Sequence, residues 1–338
     1  MSWAPDYSFS PSEWEPPAQR ENDTIITSDV LQARDTPSMI EQTVTPPFSL
    51  NPSPSVHVEQ PSFVPVSTAF YPGSHCDASD LVLLSSDSVL FYVHINILLR
   101  ISENTFSSLL SSPLSGDTYR GSIISIPETS VVLDALLHFL YSESCADQAP
   151  SFETLCTAVD QMPFYDIEPR HHIIPSNPSY GYLLAFAPLF PLELYALAAH
   201  FDIFHLAAST SSHLLGCSLS TISDEIAERI GAIYLNRLFH LHLRRLTALK
   251  GILLRSPYPH PPIPGCSFHS QKQTSRIWAL GVAQLAWEAT PDTSAHDIES
   301  SLSSLDESST CALCQQSLAD WMKAAIASWA SIDRMITS

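Results

Sequence analysis

The residue composition and the apolar patterning of the chain change abruptly near Ser79. Before it, residues 1–75 hold twelve of the chain's 27 prolines, nine acidic residues and two arginines. Proline lacks the amide hydrogen that a helix needs and clashes with the preceding turn, and the apolar residues of this stretch follow neither the strand nor the helix period. We therefore expect residues 1–75 to form a disordered, acidic tail rich in proline and serine.

After this change, short apolar runs separated by polar turns predict a small sheet. The three predicted strands lie at 81–84, 89–93 and 123–126. Apolar residues also recur at helical spacing, at 95–101 and 129–141. Because 45% of the residues are hydrophobic, the chain can bury a core. We predict an α+β fold in which helices cap a three-stranded sheet.

The second half of the chain is predicted to be mainly helical. Six prolines interrupt residues 161–191, and we interpret this stretch as an inserted loop because it is too long and too broken for an ordinary connection. Apolar residues at helical spacing return at Leu192 and predict helices that continue into an all-α C-terminal domain. An acidic, serine-rich loop is expected at 290–310. The predicted domains are 1–75, 76–216 and 217–338.

Several short pieces of the middle segment stand in an order known from one protein family. They are, in chain order, Ser79–Leu83, Phe91–Leu98, Phe106 with Leu110, Ile124–Pro127, Leu136–Tyr141 and Leu197–Leu206. Together they resemble a BTB/POZ domain, of the type found in basidiomycete fungi. The resemblance covers residues 79–216, about two fifths of the chain, and departs from the family at the proline-rich insertion.

The resemblance implies a protein that works by binding other proteins. BTB/POZ domains associate with themselves or with partners, and the implied interface is the strand-and-helix face near residues 79–110. The residues implied to form or support this face are Asp80, Phe91, His94, Leu98 and Phe106. The expected function is homo- or hetero-association, including an adaptor role, through apolar helix surface buried across a symmetric interface.

Two other functions of BTB/POZ proteins stay open as alternatives. One is the role of substrate adaptor for a cullin-type ubiquitin ligase, against which residues 107–113 lack the carboxylate that usually contacts the cullin. The other is a transcriptional regulator with a small zinc-binding C-terminal module, against which no basic helix for reading a groove accompanies the module.

Two polar residues of the same segment have structural interpretations. His94 stands at a strand-to-helix junction, where a histidine is more often buried and hydrogen-bonded than catalytic. Asp80 stands at the entrance to the first strand. It is either a simple turn acceptor or the equivalent of the family's nearly buried aspartate.

Charge and composition exclude several classes of function. With 15 basic and 35 acidic residues the formal net charge is −20, which opposes binding to phosphate backbones and to anionic membranes. The N-terminus lacks a secretory signal, no apolar run could span a bilayer, and the seven scattered cysteines suggest no disulfide framework. We expect an intracellular protein of the cytoplasm or nucleus, with protein partners and neither nucleic acid nor membrane.

No sequence pattern of an enzyme is visible. The chain has no glycine-rich phosphate loop, no G-x-S-x-G and no H-E-x-x-H, and only nine glycines for backbone that must approach a phosphate. We predict that the protein is not an enzyme and has no small-molecule substrate. A hydrolase that uses Cys311 or Cys314 as nucleophile is the alternative.

Two pairs of metal-ligating residues have the same spacing. Cys266 and His269 form the first pair, and Cys311 and Cys314 form the second at the start of a predicted helix. Both side chains of such a pair can bind one ion, and a helix N-terminus favours the thiolate. These four residues are candidate ligands of a structural zinc ion. Packed cysteines are the alternative, as is a redox pair, whose usual βαβ surroundings are missing.

The C-terminal domain also contains a concentration of positive charge. Residues 237–255 carry five of the fifteen basic charges of the chain. On a helix, such residues are interpreted as a solvated face, with the docking of an acidic partner or of the chain's own acidic tail as the alternative.

Overall fold

The structure is a computed structural model that describes residues 64–75, 77–102, 106, 109–110, 122–303 and 311–337. This part of the chain is mostly helical and contains one small three-stranded mixed sheet. The predicted combination of a small sheet with many helices is therefore confirmed. The tail predicted for residues 1–75 lies outside the described residues up to position 63.

The sheet consists of β1 (Leu81–Leu84), β2 (Leu90–Val93) and β3 (Ile123–Ser125), in the order β2-β1-β3. Strand β1 runs antiparallel to β2 and parallel to β3. Alternate residues of β1 and β2 face the core, because successive side chains of a strand point to opposite faces. All three predicted strands therefore belong to one sheet.

Residues 64–75, which the sequence assigned to the tail, pack against the outer edge of β2. The backbone N–H of Tyr92 donates to the carbonyl of Phe70 at 2.9 Å, and that of Leu90 donates to Pro65 at 2.9 Å. The Phe70 side chain is fully buried, with its ring beside Phe91. The packed part of the chain thus begins before residue 76 and covers a sheet edge that would otherwise be open.

Seven helices belong to the first half of the described chain. They are α1 (Ile95–Ile101), α2 (Ser130–Tyr141), α3 (Phe152–Gln161), α4 (Pro169–His172), α5 (Pro178–Leu184), α6 (Pro191–His200) and α7 (Phe204–Ser211).

The segment 161–191 is therefore not an irregular loop. Three of its prolines stand at the first position of α4, α5 and α6. At that position the missing N–H costs nothing and the fixed φ suits a helix. Tyr165, Ile173 and Leu183 of this segment are buried, so it forms part of the core.

Four more helices follow: α8 (Asp224–Leu253), α9 (Phe268–Glu288), α10 (Ala295–Ser303) and α11 (Ala312–Ala330). Helix α8 is interrupted at Gly231, whose φ of 73° and ψ of 159° are not helical. Helix α10 lies inside the stretch expected to be a loop. Its first turn is held by reciprocal bonds, since Asp297 N donates to Ser294 Oγ at 3.0 Å and Ser294 N donates to Asp297 Oδ2 at 2.9 Å.

The helices and the sheet bury two separate apolar cores. The larger core lies among the sheet, α2, α3, α6 and α7. The smaller core lies among α9, α10, α11 and the C-terminal half of α8. Helix α8 contributes Leu238 to the larger core and Leu253 to the smaller one. None of the helices within the described ranges is long and apolar enough to cross a bilayer.

Candidate metal centre

Four metal-ligating side chains converge between α8, α9 and α11. Cys311 is the residue that caps the N-terminus of α11, and Cys314 lies in the first turn of that helix. Cys266 ends a tight turn that starts at Ile263, in which Gly265 has a φ of +93°. His260 comes from the proline-rich segment between α8 and α9. The ligand atoms of all four residues lie within 4.8 Å of one another.

Three of the distances between these atoms are close to the edges of a tetrahedral zinc site. The Sγ atoms of Cys266 and Cys314 are 3.7 Å apart, and Nε2 of His260 lies 3.3 Å from Cys314 Sγ and 3.4 Å from Cys311 Sγ. With Zn–S bonds of about 2.3 Å and Zn–N bonds of about 2.0 Å, tetrahedral geometry requires about 3.8 Å between sulfurs and about 3.5 Å from sulfur to nitrogen. The cluster could therefore hold a metal ion.

The surroundings of His260 leave its Nε2 atom free to bind a metal. Its Nδ1 atom lies 2.7 Å from the carbonyl oxygen of Pro261, to which a protonated Nδ1 donates. In that tautomer Nε2 carries no proton, and its lone pair faces the sulfurs. A metal-bound histidine normally donates its other ring N–H to a carbonyl or carboxylate group in this way. The buried amide of Gln271 donates from Nε2 to the His260 carbonyl at 2.8 Å and holds the backbone in place.

The thiols differ in their electrostatic surroundings. The backbone N–H of Cys314, with that of Leu313, lowers the pKa of Cys311 to about 7, because these amides at the start of α11 stabilise the thiolate. Burial, followed by the neighbouring Cys266 sulfur, raises the pKa of Cys314 to about 11. Adjacent thiolates repel one another, and a divalent cation between them removes the repulsion. The donor set therefore suits a bound metal ion.

Three of the four predicted ligands come together, and the fourth does not. Cys266, Cys311 and Cys314 meet as expected, but His269 is exposed in the first turn of α9. Ser267 caps α9 by accepting from Ser270 N, so the helix begins immediately after Cys266 and His269 is outside the cluster. His260 takes its place. Its position in a stiff proline-rich segment next to Cys266 is the sequence signal that could have indicated it.

The residues implied by the BTB/POZ resemblance have internal partners. His94 is buried, with Nδ1 3.1 Å from the Tyr141 hydroxyl and Nε2 3.1 Å from the Asp77 carbonyl oxygen. Asp80 is half-buried, and its Oδ1 accepts from the Ile95 N–H at 2.8 Å at the start of α1. The remaining three are core residues, namely Phe91, Leu98 and Phe106.

The basic stretch 237–255 is not uniformly solvated. Arg245 is 1% exposed, and its guanidinium lies 4.1 Å from the centre of the Trp329 ring. Its Nε donates to the Pro291 carbonyl at 2.6 Å, and its Nη1 donates to the Ile332 carbonyl at 2.9 Å and the Asp333 carbonyl at 3.0 Å. The expectation of a solvated face is therefore wrong for this residue, which joins α8 to the chain after α11.

Comparison with protein families, with curated proteins and with solved structures finds no match for this chain. The BTB/POZ resemblance thus rests on the sequence pieces and the order of the elements alone.

Proposed function

We propose that His260, Cys266, Cys311 and Cys314 form a structural zinc site. Sites with four protein ligands are closed and hold folds together, whereas catalytic zinc sites keep one position open for water. A set of three thiolates and one imidazole suits zinc, because soft sulfur ligands disfavour magnesium, calcium and manganese. The agreement of the interatomic distances with tetrahedral edges carries this proposal.

Such an ion would join two segments of the chain. His260 and Cys266 lie before α9, and Cys311 with Cys314 opens α11. The segment before α9 is also tied to α11 by the Ser317 hydroxyl, which donates to the Tyr258 carbonyl at 2.7 Å. Metal binding at this point would support the smaller core from its edge.

Metal analysis of the purified full chain tests the zinc site. We expect one zinc ion per chain by mass spectrometry, lost in Cys266→Ser and in His260→Ala. The matched control is His269→Ala, which changes an exposed histidine nine positions further along and leaves the zinc content unchanged. Zinc-free protein at neutral pH, or loss of zinc in His269→Ala but not in His260→Ala, would contradict the assignment.

We further propose that the protein acts by binding other proteins, as the BTB/POZ resemblance implies, and that it performs no chemistry. The support is an apolar side chain left open on the implied face, since Leu99 of α1 is 42% exposed beside Leu98, which is fully buried. Association that covers Leu99 removes apolar surface from water. The internal hydrogen bonds of His94 and Asp80 are consistent with supporting roles for these residues.

Light scattering after size-exclusion chromatography tests this association. We expect wild-type full chain to exceed the monomer mass at high concentration, or to capture a partner through this face. Leu99→Asp should reduce either form of association. Leu189→Asp is the control, because Leu189 is 71% exposed and lies outside residues 79–110. Equal behaviour of both variants and the wild type would argue against this face.

A further inference from the structure

Helix α9 is apolar on two opposite sides. Residues 277–287 contain no charged side chain, and Gln284 is their one strongly polar residue. Trp278, Val282 and Leu285 face the smaller core and are buried. On the other side Leu280 is 73% exposed and Trp287 is 91% exposed. A helix that is apolar all round is normally covered on every side. We therefore expect another surface to cover this outer face.

The spacing of the exposed residues on the outer face of α9 is the same in both chain directions. Arg276, Leu280, Ala283 and Trp287 are spaced by four, three and four residues, and all four are exposed. This is the spacing of a helix–helix seam. Because the spacing is symmetric, two copies of α9 lying antiparallel about a two-fold axis set Leu280 of each copy against Ala283 of the other. In the same arrangement Trp287 lies over Arg276, where a cation–π contact can form.

Charges at the two ends of the face favour the same arrangement. Lys272 and Arg276 stand at its N-terminal end and Glu288 at its C-terminal end. Within the described part of the chain neither basic residue forms an ion pair. Among the described residues, the hydrogen bond that Glu288 accepts comes from Gln284 Nε2 of its own helix, at 3.2 Å. An antiparallel pair brings Glu288 of each copy beside Arg276 of the other, which makes the surface self-complementary.

We propose that the outer face of α9 binds the same face of a second copy of this chain, in antiparallel orientation. The face from Lys272 to Glu288 is about 24 Å long at the helical rise per residue. One helix pair of this length covers less area than a standard stable interface, so the association is weak and depends on concentration. It is separate from any association through the face that contains Leu99.

Analytical ultracentrifugation of the full, metal-loaded chain tests the apolar part of this interface. Trp287→Ser and Leu280→Ser should each weaken self-association by roughly tenfold or more. Both side chains are exposed, so circular dichroism should show an unchanged fold. Leu189→Ser, an equally exposed leucine elsewhere, is the matched control and should leave self-association unchanged. Unchanged association in both α9 variants would overturn the proposal.

Charge reversal tests the orientation. Arg276→Glu and Glu288→Arg should each weaken self-association, because each places like charges in contact twice across the two-fold axis. The double variant restores opposite charges and should recover most of the wild-type affinity. Weakening in both single variants without recovery in the double variant would overturn the antiparallel arrangement. Association lost in Leu99→Asp but unaffected in every α9 variant would overturn this inference while leaving the proposed function intact.

Discussion

The sheet region and the C-terminal helices are held together by different means. Among the described residues, the larger core has 42 buried members and the smaller one has 11. Leu136, Phe139 and Leu197 of the larger core are fully excluded from solvent. The C-terminal helices instead place a His/Cys cluster at the edge of their core. The proposed metal ion would add a cross-link to the region that has the smaller core, where fewer buried side chains contribute to stability.

The joint between the two regions is partly polar. Helix α8 extends from one core to the other, and Arg245, which lies between Leu241 of the larger core and Leu249 of the smaller one, is buried against Trp329 and three backbone carbonyls. Helix α8 is therefore joined to the C-terminal segments by hydrogen bonds as well as by apolar contact. The comparison predicts that perturbations of the metal, the joint and the sheet region should act on different parts of the molecule.

The largest effect is expected from removal of the proposed metal ion. Structural zinc contributes about 10–16 kcal/mol of apparent binding free energy in small zinc-finger peptides. Chelation, or Cys314→Ser, should therefore abolish hydrogen-exchange protection in α9, α10 and α11 while α2 and α6 stay protected. Cys217→Ser is the control, because Cys217 is a free thiol outside the cluster. Equal loss of protection in both regions would show that the two cores do not unfold separately.

The second effect concerns the joint. Arg245→Met should lower the free energy of unfolding by about 3 kcal/mol or more, because it leaves three carbonyl oxygens without their donor. Arg244→Met is the neighbouring control. Its side chain is 41% exposed, and we expect a change of less than about 1 kcal/mol. Denaturant unfolding measures both changes, and similar values for the two variants would contradict a structural role for Arg245.

A smaller effect is expected within the sheet region. Asp80→Ala removes the acceptor for the Ile95 N–H at the start of α1 and should cost about 1 kcal/mol of stability. Asp77→Ala should change stability by less than about 0.5 kcal/mol, because Asp77 contacts His94 through its backbone carbonyl. Equal shifts of the unfolding temperature in the two variants would contradict a stabilising role for the Asp80 carboxylate.

The smallest effect is a pH dependence of opposite sign at two histidines. Burial alone would lower the pKa of His138 in α2, but hydrogen bonds to Asp134 outweigh it and raise that pKa above 6.5. Burial lowers the pKa of His242 in α8. The stability due to His138 is fully present below the unfolded pKa and is lost as pH rises through the folded pKa. The burial of His242 instead costs stability as pH falls below about 6.5.

Nuclear magnetic resonance titration can separate these two histidines. The ring protons of His138 should titrate above the pH of a peptide histidine, and those of His242 below it. Asp134→Asn should bring the His138 titration down and leave that of His242 unchanged. Titration of both residues at the peptide value would refute the assigned surroundings.

Local patterns predicted much of the secondary structure. The three strands and helices α1 and α2 lie close to the predicted positions, because apolar alternation and turn residues act over a few neighbours. The helices in 161–191 were missed because proline was interpreted as a break, although it starts α4, α5 and α6. Helix α10 was missed although Ser294 and Asp297 have the spacing of a capping pair.

Residue types at short spacing are sufficient to predict the strands, the apolar faces of the helices and three of the four residues of the His/Cys cluster. Tertiary structure alone decided that His260 rather than His269 completes the cluster, and that Arg245 is buried. The partners of these two residues lie far along the chain, His260 being 51 positions from Cys311 and Arg245 being 84 positions from Trp329. Short-range periodicity carries no information about such distances, because they are set by how the helices pack.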